Sequence, residues 1–371
     1  MLTYEFPKTG EQISRLGFGL MRLPGQREGH IDYRAASALV DRAITGGVNY
    51  FDTAYVYGDS EDFAGEALSK YPRESFYLAT KLPIEKLKKV SDAQHVFNEQ
   101  LTRCRVDYFD FYLLHSIENG NWDAVKKLGL IRQADGWKKE GRVKHLGFSY
   151  HGDYDIFREV LDAYPWEFVQ IQINYVDDKL QNARALLDEL TLRDIPAFVM
   201  EPIRGGYLAC LHKVGADMLR SSDASRTPAE WALRWCLCTP NLNVILSGMS
   251  TMDQIEENLR IFSEHKPLST QDFELLDKVH NELQKIEAVP CTGCGYCMKC
   301  PSGVDIPGVM GSYNDYKRFG NKYTFLTDYN YLDEHSGKAC TNCGECLPKC
   351  PQGLNIPGWL SKIGDEVEKI C

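Results

Sequence analysis

Short apolar runs alternate with amphipathic segments along most of this chain, and the alternation predicts its architecture. Eight runs have the length and composition of buried strands: Leu16–Leu23, Asn49–Ala54, Phe76–Leu82, Tyr108–His115, Val143–Tyr150, Phe168–Tyr175, Ala197–Glu201 and Asn243–Gly248. Between them, Tyr33–Thr45, Glu61–Lys70, Asp92–Cys104 and Pro228–Cys238 place apolar residues at helical spacing. Strands that alternate with helices predict a parallel sheet with crossover connections. Eight such repeats favour an α/β fold closed into a (β/α)8 TIM barrel over an open sheet. Residues 1–15 precede the first strand and are expected to cap the barrel floor.

The pattern changes near residue 285, so the barrel is assigned to 1–285 and a small second domain to 286–371. Two cysteine runs dominate that domain. Cys291, Cys294, Cys297 and Cys300 precede Pro301; Cys340, Cys343, Cys346 and Cys350 precede Pro351. A [4Fe–4S] cluster takes four thiolates, and in two-cluster ferredoxins the cysteine before proline serves the other cluster. Two clusters with crossed ligation follow: Cys291, Cys294, Cys297 and Cys350 for one, Cys340, Cys343, Cys346 and Cys300 for the other. The first run departs slightly, with two residues before its last cysteine where the second has three. Structural zinc is the competing reading of paired C-x-x-C elements, but zinc ribbons show two separated pairs rather than this triple repeat. The runs also form an internal repeat, Cys300-Pro-Ser-Gly-Val-Asp-Ile-Pro-Gly308 against Cys350-Pro-Gln-Gly-Leu-Asn-Ile-Pro-Gly358. The long tyrosine-rich stretch between them resembles helical ferredoxin-like modules fused to many oxidoreductases.

Charge and composition narrow the partners. The net charge is −10 and no basic run interrupts it, which argues against nucleic acid. No stretch approaches the roughly 18 apolar residues of a membrane span. The N-terminus lacks a basic segment followed by an apolar one, so a cytoplasmic location is expected and a disulfide framework is not. Cys104, Cys210, Cys236 and Cys238 lie in apolar or helical patterns and read as packed thiols.

Catalytic groups of such barrels sit at the C-terminal ends of strands. There the second run ends in Phe-Asp52-Thr-Ala-Tyr-Val-Tyr57, the third in Ala-Thr-Lys81 and the fourth in Leu-Leu-His115. Asp52, Tyr57, Lys81 and His115 match, in order and strand position, the tetrad of the aldo/keto reductases, which this chain resembles from about residue 10 to residue 262. The resemblance implies reduction of a small carbonyl substrate, an aldehyde or ketone, by NAD(P)H. Tyr57 is then the general acid, Lys81 lowers its pKa, Asp52 anchors the lysine, and His115 orients the carbonyl. Free tyrosine, with a pKa of about 10, needs such help near neutrality.

The same resemblance implies cofactor contacts. Ser149 and Gln170 meet the nicotinamide carboxamide, with Gln172 as the alternative to Gln170; Tyr150 stands where the family commonly has Asn. Pro202 and Gly205 belong to a loop suited to close pyrophosphate approach, and Glu201 replaces the usual stacking aromatic. Gly248, Ser250, Gln254, Glu257 and Asn258 match the adenosine-phosphate segment of the branch that includes potassium-channel β-subunits. The Lys and Arg that grip a 2′-phosphate elsewhere are absent, so NADPH is preferred on family grounds and NADH remains open. A phosphate at the Ser250 backbone N–H is a further expectation. Met21 and Arg22 stand at the mouth, where Arg204 is expected nearby; the two cations could bind an acidic substrate, touch cofactor phosphates or pair with Glu201.

A nicotinamide delivers two electrons as hydride, whereas each cluster passes one. Three readings of the fusion follow: carbonyl reduction with clusters as support or as service to another partner; a flavin or a partner linking clusters to the barrel, with a ferredoxin or flavoprotein as electron partner; or a nicotinamide-sensing module. The intact tetrad argues against the third, and the missing flavin signature against the second.

Overall fold

The computed structural model describes all residues except 8, 27–29, 181–182, 265, 287, 292, 294 and 371. Cys294, an expected cluster ligand, therefore lies outside the described residues. The chain packs as two compact units, one of Met1–Pro202 with Ala232–Leu268, the other of Ile203–Trp231 with Ser269–Cys371.

The first unit opens with an antiparallel hairpin, β1 (Thr3–Glu5) and β2 (Gln12–Ser14). Eight strands follow: β3 (Leu16–Gly19), β4 (Tyr50–Asp52), β5 (Tyr77–Pro83), β6 (Phe109–Ile117), β7 (Val143–Tyr150), β8 (Phe168–Gln172), β9 (Ala197–Met200) and β10 (Leu242–Ser247). They close into a parallel barrel in which β10 pairs with both β9 and β3. Helices ring the outside of such a barrel and side chains fill its inside, so the strands bury both faces and read as unbroken apolar runs. The hairpin caps the floor as expected. Phe6 and Ile13 pack with Tyr50, Phe111, Phe168 and Phe198, and Asn49 holds the hairpin by accepting from the Ser14 N–H at 2.7 Å.

Several strands stop short of the apolar run that announced them. β3 ends at Gly19, and Leu20 and Leu23 are buried in the turn beyond it. β8 ends at Gln172 because Asn174 turns the chain, its Oδ1 accepting from the N–H groups of Val176 and Asp177. Burial alone makes a residue apolar, in a strand or after it.

The second unit is built on helices Ile306–Phe319, Lys322–Tyr331 and Ile356–Ile370, which enclose Val309, Met310, Tyr313, Phe325, Tyr329, Leu360 and Ile363. The internal repeat explains two helix starts. The Asp305 side chain accepts from the Gly308 N–H at 3.0 Å, and Asn355 accepts from the Gly358 N–H at 3.2 Å, with proline in the first turn of both helices. A Cβ on Gly308 would lie 2.4 Å from Asp305 Oδ2, which is why the repeat needs glycine there. No helix among the described residues is long and apolar enough to cross a membrane.

Candidate active site

Parallel register brings the expected tetrad together at the C-terminal ends of β4, β5 and β6. Asp52 is the last residue of β4 and pairs with Ala79, two residues before Lys81; Pro83 pairs with His115. Lys81, 1 % exposed, donates to Asp52 Oδ1 at 2.5 Å, to the Thr53 carbonyl at 2.8 Å and to the Tyr57 hydroxyl at 3.4 Å. The Tyr57 and His115 rings meet edge to face, 5.9 Å between centroids. One ammonium is thus held by a carboxylate and a carbonyl, and aimed at a phenol.

Burial sets the proton states. Burial by itself would lower the Lys81 pKa, but Asp52 and Tyr57 together carry it above the ordinary lysine value. Burial pushes the Asp52 carboxyl up while Lys81 pulls it back. Burial also raises Tyr57, against the pull of Lys81, so the net shift is opposite to the lowering expected from sequence. The lysine acts in the expected direction; the desolvation of the phenol outweighs it. Tyr57 therefore stands protonated near neutrality, the form a proton donor needs. Burial, helped by Lys81 and His151, drives His115 down to about 3, so its imidazole is neutral. A neutral imidazole can orient an oxygen by hydrogen bonding but has no spare proton to give.

Sequence reasoning missed the support behind these groups. Gln100 donates to the Lys81 carbonyl at 3.0 Å and to Glu61 Oε1 at 2.7 Å, and Thr80 donates to the same oxygen at 2.6 Å. Glu61 lies on the buried face of helix Ser60–Leu68, beside exposed acids that give no sign of its role. Ser116 sits at φ +53°, where the β6–β7 register shifts between Leu114 and Ile117, and its N–H donates to Ser149 Oγ at 2.7 Å. A bulge of this kind re-aims the neighbouring side chain, here His115.

The cofactor expectations divide. Gln170 pairs in register with Ser149, is buried, and leaves its Oε1 without a hydrogen-bond partner among the described residues. Gln172 is already engaged with Asp177 at 3.1 Å. A carboxamide N–H₂ would satisfy the orphaned Gln170 oxygen, so these residues fit a nicotinamide. Beyond β10, Gln254 Oε1 accepts from the Ser250 N–H at 2.7 Å and caps helix Met252–Ser263 with Thr251. The expected phosphate at the Ser250 N–H thus meets a side chain already in place. Ser250 Oγ donates to the Arg22 carbonyl at 2.5 Å, Asn258 donates to Ser247 Oγ at 2.8 Å, and Gly248 lies against the Arg22 stem. Glu257 is partly buried on the same helix, and Met21 is 46 % exposed. Arg22 pairs with Glu201 at 3.3 Å, one of the alternatives open in the sequence. Pro202 ends the first segment of the first unit, and Gly205, at φ +63°, belongs to the second unit. Arg204 pairs within the second unit, with Asp315 at 2.9 Å.

The cysteines line two cavities in the second unit. Cys291, Cys297 and Cys350 border one with Pro307, Met310 and Ile356. Cys297, Cys300, Cys340, Cys343 and Cys346 border another. Burial, with Cys300, Cys340 and Cys343 close by, pushes the Cys346 thiol up. Among the described residues, no three Cys, His, Asp or Glu side chains converge on a point for a single metal ion. Soft thiolates spread around an enclosed space suit an iron–sulfur cluster.

Comparison with known proteins agrees with both sites. Residues 15–281 match the aldo/keto reductase family, and residues 290–354 match the 4Fe-4S dicluster domain. The chain is 28 % identical to L-galactose dehydrogenase from Arabidopsis thaliana, over 75 % of this chain and 93 % of the plant enzyme. It is 26 % identical to NADH-specific methylglyoxal reductase from Escherichia coli, over 74 % and 96 % of the two chains. The holo form of an aldo-keto reductase from Bacillus halodurans superimposes with a TM-score of 0.64 at 24 % identity, over 75 % of this chain and 96 % of that one. With eight parallel strands, the lysine-centred cluster of side chains at their ends and a match over most of its length, this chain belongs to the aldo/keto reductase family and carries a C-terminal 4Fe–4S dicluster domain.

Proposed function

We propose that the chain reduces the carbonyl of a small aldehyde or ketone to an alcohol with NAD(P)H in the barrel, residues 1–285, and that residues 286–371 bind two [4Fe–4S] clusters. The observation that carries the first part is Lys81 Nζ held between Asp52 Oδ1 and the Tyr57 hydroxyl beside a neutral His115. The reduced nicotinamide, when bound, supplies a hydride to the carbonyl carbon. Tyr57 gives its hydroxyl proton to the carbonyl oxygen as negative charge develops there. The Lys81 ammonium stabilises the phenolate left behind, and Asp52 keeps that ammonium in place. His115 donates a hydrogen bond to the same oxygen and orients it. Ser149 and Gln170 are the carboxamide contacts of this reading, with Pro202, Gly205 and the segment Gly248 to Asn258 toward the phosphates and adenosine. NADPH is the family preference; the NADH-specific relative keeps NADH in view.

For the clusters, Cys350 borders the cavity of Cys291 and Cys297, and Cys300 borders that of Cys340, Cys343 and Cys346, with Cys297 bordering both; this exchange of the cysteines before proline supports crossed ligation, with Cys294 completing the first set. Such oxygen-sensitive thiolate sites suit the cytoplasm.

Tyr57→Phe tests the reductase reading. It removes the proton and keeps the ring, so aldehyde reduction should fall by about 10²–10⁴-fold with nicotinamide affinity unchanged. An unaltered rate sinks the role of Tyr57. The pH profile of the native enzyme is a second check. With His115 at about 3, no acid limb near 6.5 should belong to it; one abolished by His115→Gln would contradict its neutrality.

A further inference from the structure

β5 outlasts the strand beside it, and Lys81 stands in the part that does. β4 accompanies β5 only from Tyr50–Tyr77 to Asp52–Ala79, whereas β5 runs on to Pro83. The Ala79 carbonyl still accepts from the Thr53 N–H at 2.9 Å. Carbonyls alternate in direction along a strand, so the Lys81 carbonyl, two residues on, faces the side that β4 has left. A buried carbonyl needs a donor, and β4 no longer supplies one.

Gln100, on helix Val90–Cys104, takes that place. Its Nε2 donates to the Lys81 carbonyl at 3.0 Å and to Glu61 Oε1 at 2.7 Å, while its Oε1 accepts from the Tyr112 hydroxyl at 2.6 Å. Gln100, Tyr112, Glu61 and Thr80 are all fully buried. Thr80 Oγ1 donates to Glu61 Oε1 at 2.6 Å, and Arg103 pairs with the other carboxylate oxygen at 3.5 Å. Turning the Gln100 amide over would set its oxygen against two acceptors, so only one orientation is satisfied.

The consequence falls on the ammonium. Of the three bonds that Lys81 Nζ makes, the one to the Tyr57 hydroxyl is the longest, 3.4 Å against 2.5 Å to Asp52 and 2.8 Å to the Thr53 carbonyl. Drift of the strand end breaks that contact first and spares the other two. We propose that Gln100 is a positioning residue of the reaction: it stands in for the missing length of β4, fixes the backbone of Lys81 and so keeps the ammonium against the Tyr57 hydroxyl. The inference rests on the reductase reading above and extends it to a side chain buried behind the site. Glu61 and Thr80 act one step further back, by holding Gln100.

The test compares Gln100→Met with Tyr112→Phe in the full, cluster-loaded protein. Both remove a buried hydrogen bond of the same amide, but only the first leaves the Lys81 carbonyl without its donor. Gln100→Met should lower kcat for aldehyde reduction by about 10–100-fold with dinucleotide affinity unchanged. Tyr112→Phe should keep kcat within about 3-fold of the native value, and urea unfolding sets the two stability losses side by side. The pH profile is a readout that general loosening does not move. Lys81, Asp52, Glu201 and the neutral His115 face Tyr57, and of these Lys81 favours its phenolate. Alcohol oxidation, the reverse reaction, needs that phenolate, so its rising limb should move to higher pH in Gln100→Met alone. If Gln100→Met does not fold, Gln100→Met with Tyr112→Phe replaces it, since removing both partners leaves no orphaned hydroxyl, and Tyr112→Phe stays the reference. A native kcat and an unmoved limb in the Gln100 variant, with Tyr57→Phe inactive, overturn the inference and leave the reductase reading standing. Equal losses of kcat in the Gln100 and Tyr112 variants overturn it as well. Tyr57→Phe at the native rate overturns both.

Discussion

The tetrad and the cysteine loops are both built for reactive chemistry, yet they are held in opposite ways. Lys81 is buried, makes three hydrogen bonds and is backed by Thr80 on its own strand and by Gln100 and Glu61 on neighbouring helices. The cysteine loops run through Gly293, Gly295 and Gly344 at positive φ, with Cys343 exposed and short backbone turns such as the Met298 N–H to the Gly295 carbonyl and the Leu347 N–H to the Gly344 carbonyl. A site on barrel strands is organised before any ligand arrives. A thiolate site on glycine loops takes much of its order from the metal it binds.

Iron removal should separate the two most sharply. Anaerobic chelation is expected to leave the barrel's far-ultraviolet signature and protease resistance intact while residues 286–371 become rapidly cleavable. Equal resistance before and after would mean that the helices alone carry the module. Next in size, Lys81→Met leaves the Asp52 carboxylate buried beside a methyl group. Breaking a buried pair from one side costs about 3–5 kcal/mol, read from urea unfolding, and a stability change below 1 kcal/mol would show Asp52 to be neutral already.

Smaller still is the contrast inside the repeat. Asp305→Ala and Asn355→Ala each remove one helix cap, with an expected loss of about 1 kcal/mol in the second unit. The smallest effect concerns the floor. His145, Lys138 and the Leu146 N–H counter the burial of Glu167 and hold its carboxyl at about 2, below its ordinary 4.5. A depressed carboxyl adds stability above pH 4.5 that is lost as pH falls toward 2. Glu167→Gln should flatten that acid slope by about 1 kcal/mol once solvent screening is allowed for; an unchanged slope would assign the acid sensitivity elsewhere.

The barrel was legible because strands buried on both faces leave unbroken apolar runs, and helices Tyr33–Thr45 and Pro228–Cys238 have the bounds their periodicity predicts. The hairpin strands β1 and β2 were not legible as strands, being three residues each with mixed polarity. Tetrad positions were readable because they follow strand ends, which an apolar run marks. What stayed hidden was set by distant partners. Arg204 was expected near the mouth, but its partner Asp315 lies 111 residues away, beyond any local signal. Gln254 matches a phosphate-binding position in the family, yet in this chain it caps its own helix. The sign of the Tyr57 shift depends on how fully the phenol is desolvated, which no spacing reveals.

Phe6, Ile13, Tyr50, Phe111, Phe168 and Phe198 plug the barrel at its lower end. Among the described residues, that end of the vessel is shut. On the function proposed above, an alcohol and a spent dinucleotide would both leave by the rim through which their precursors came. The turnover of such a catalyst would be governed by traffic through its rim as well as by the chemistry within.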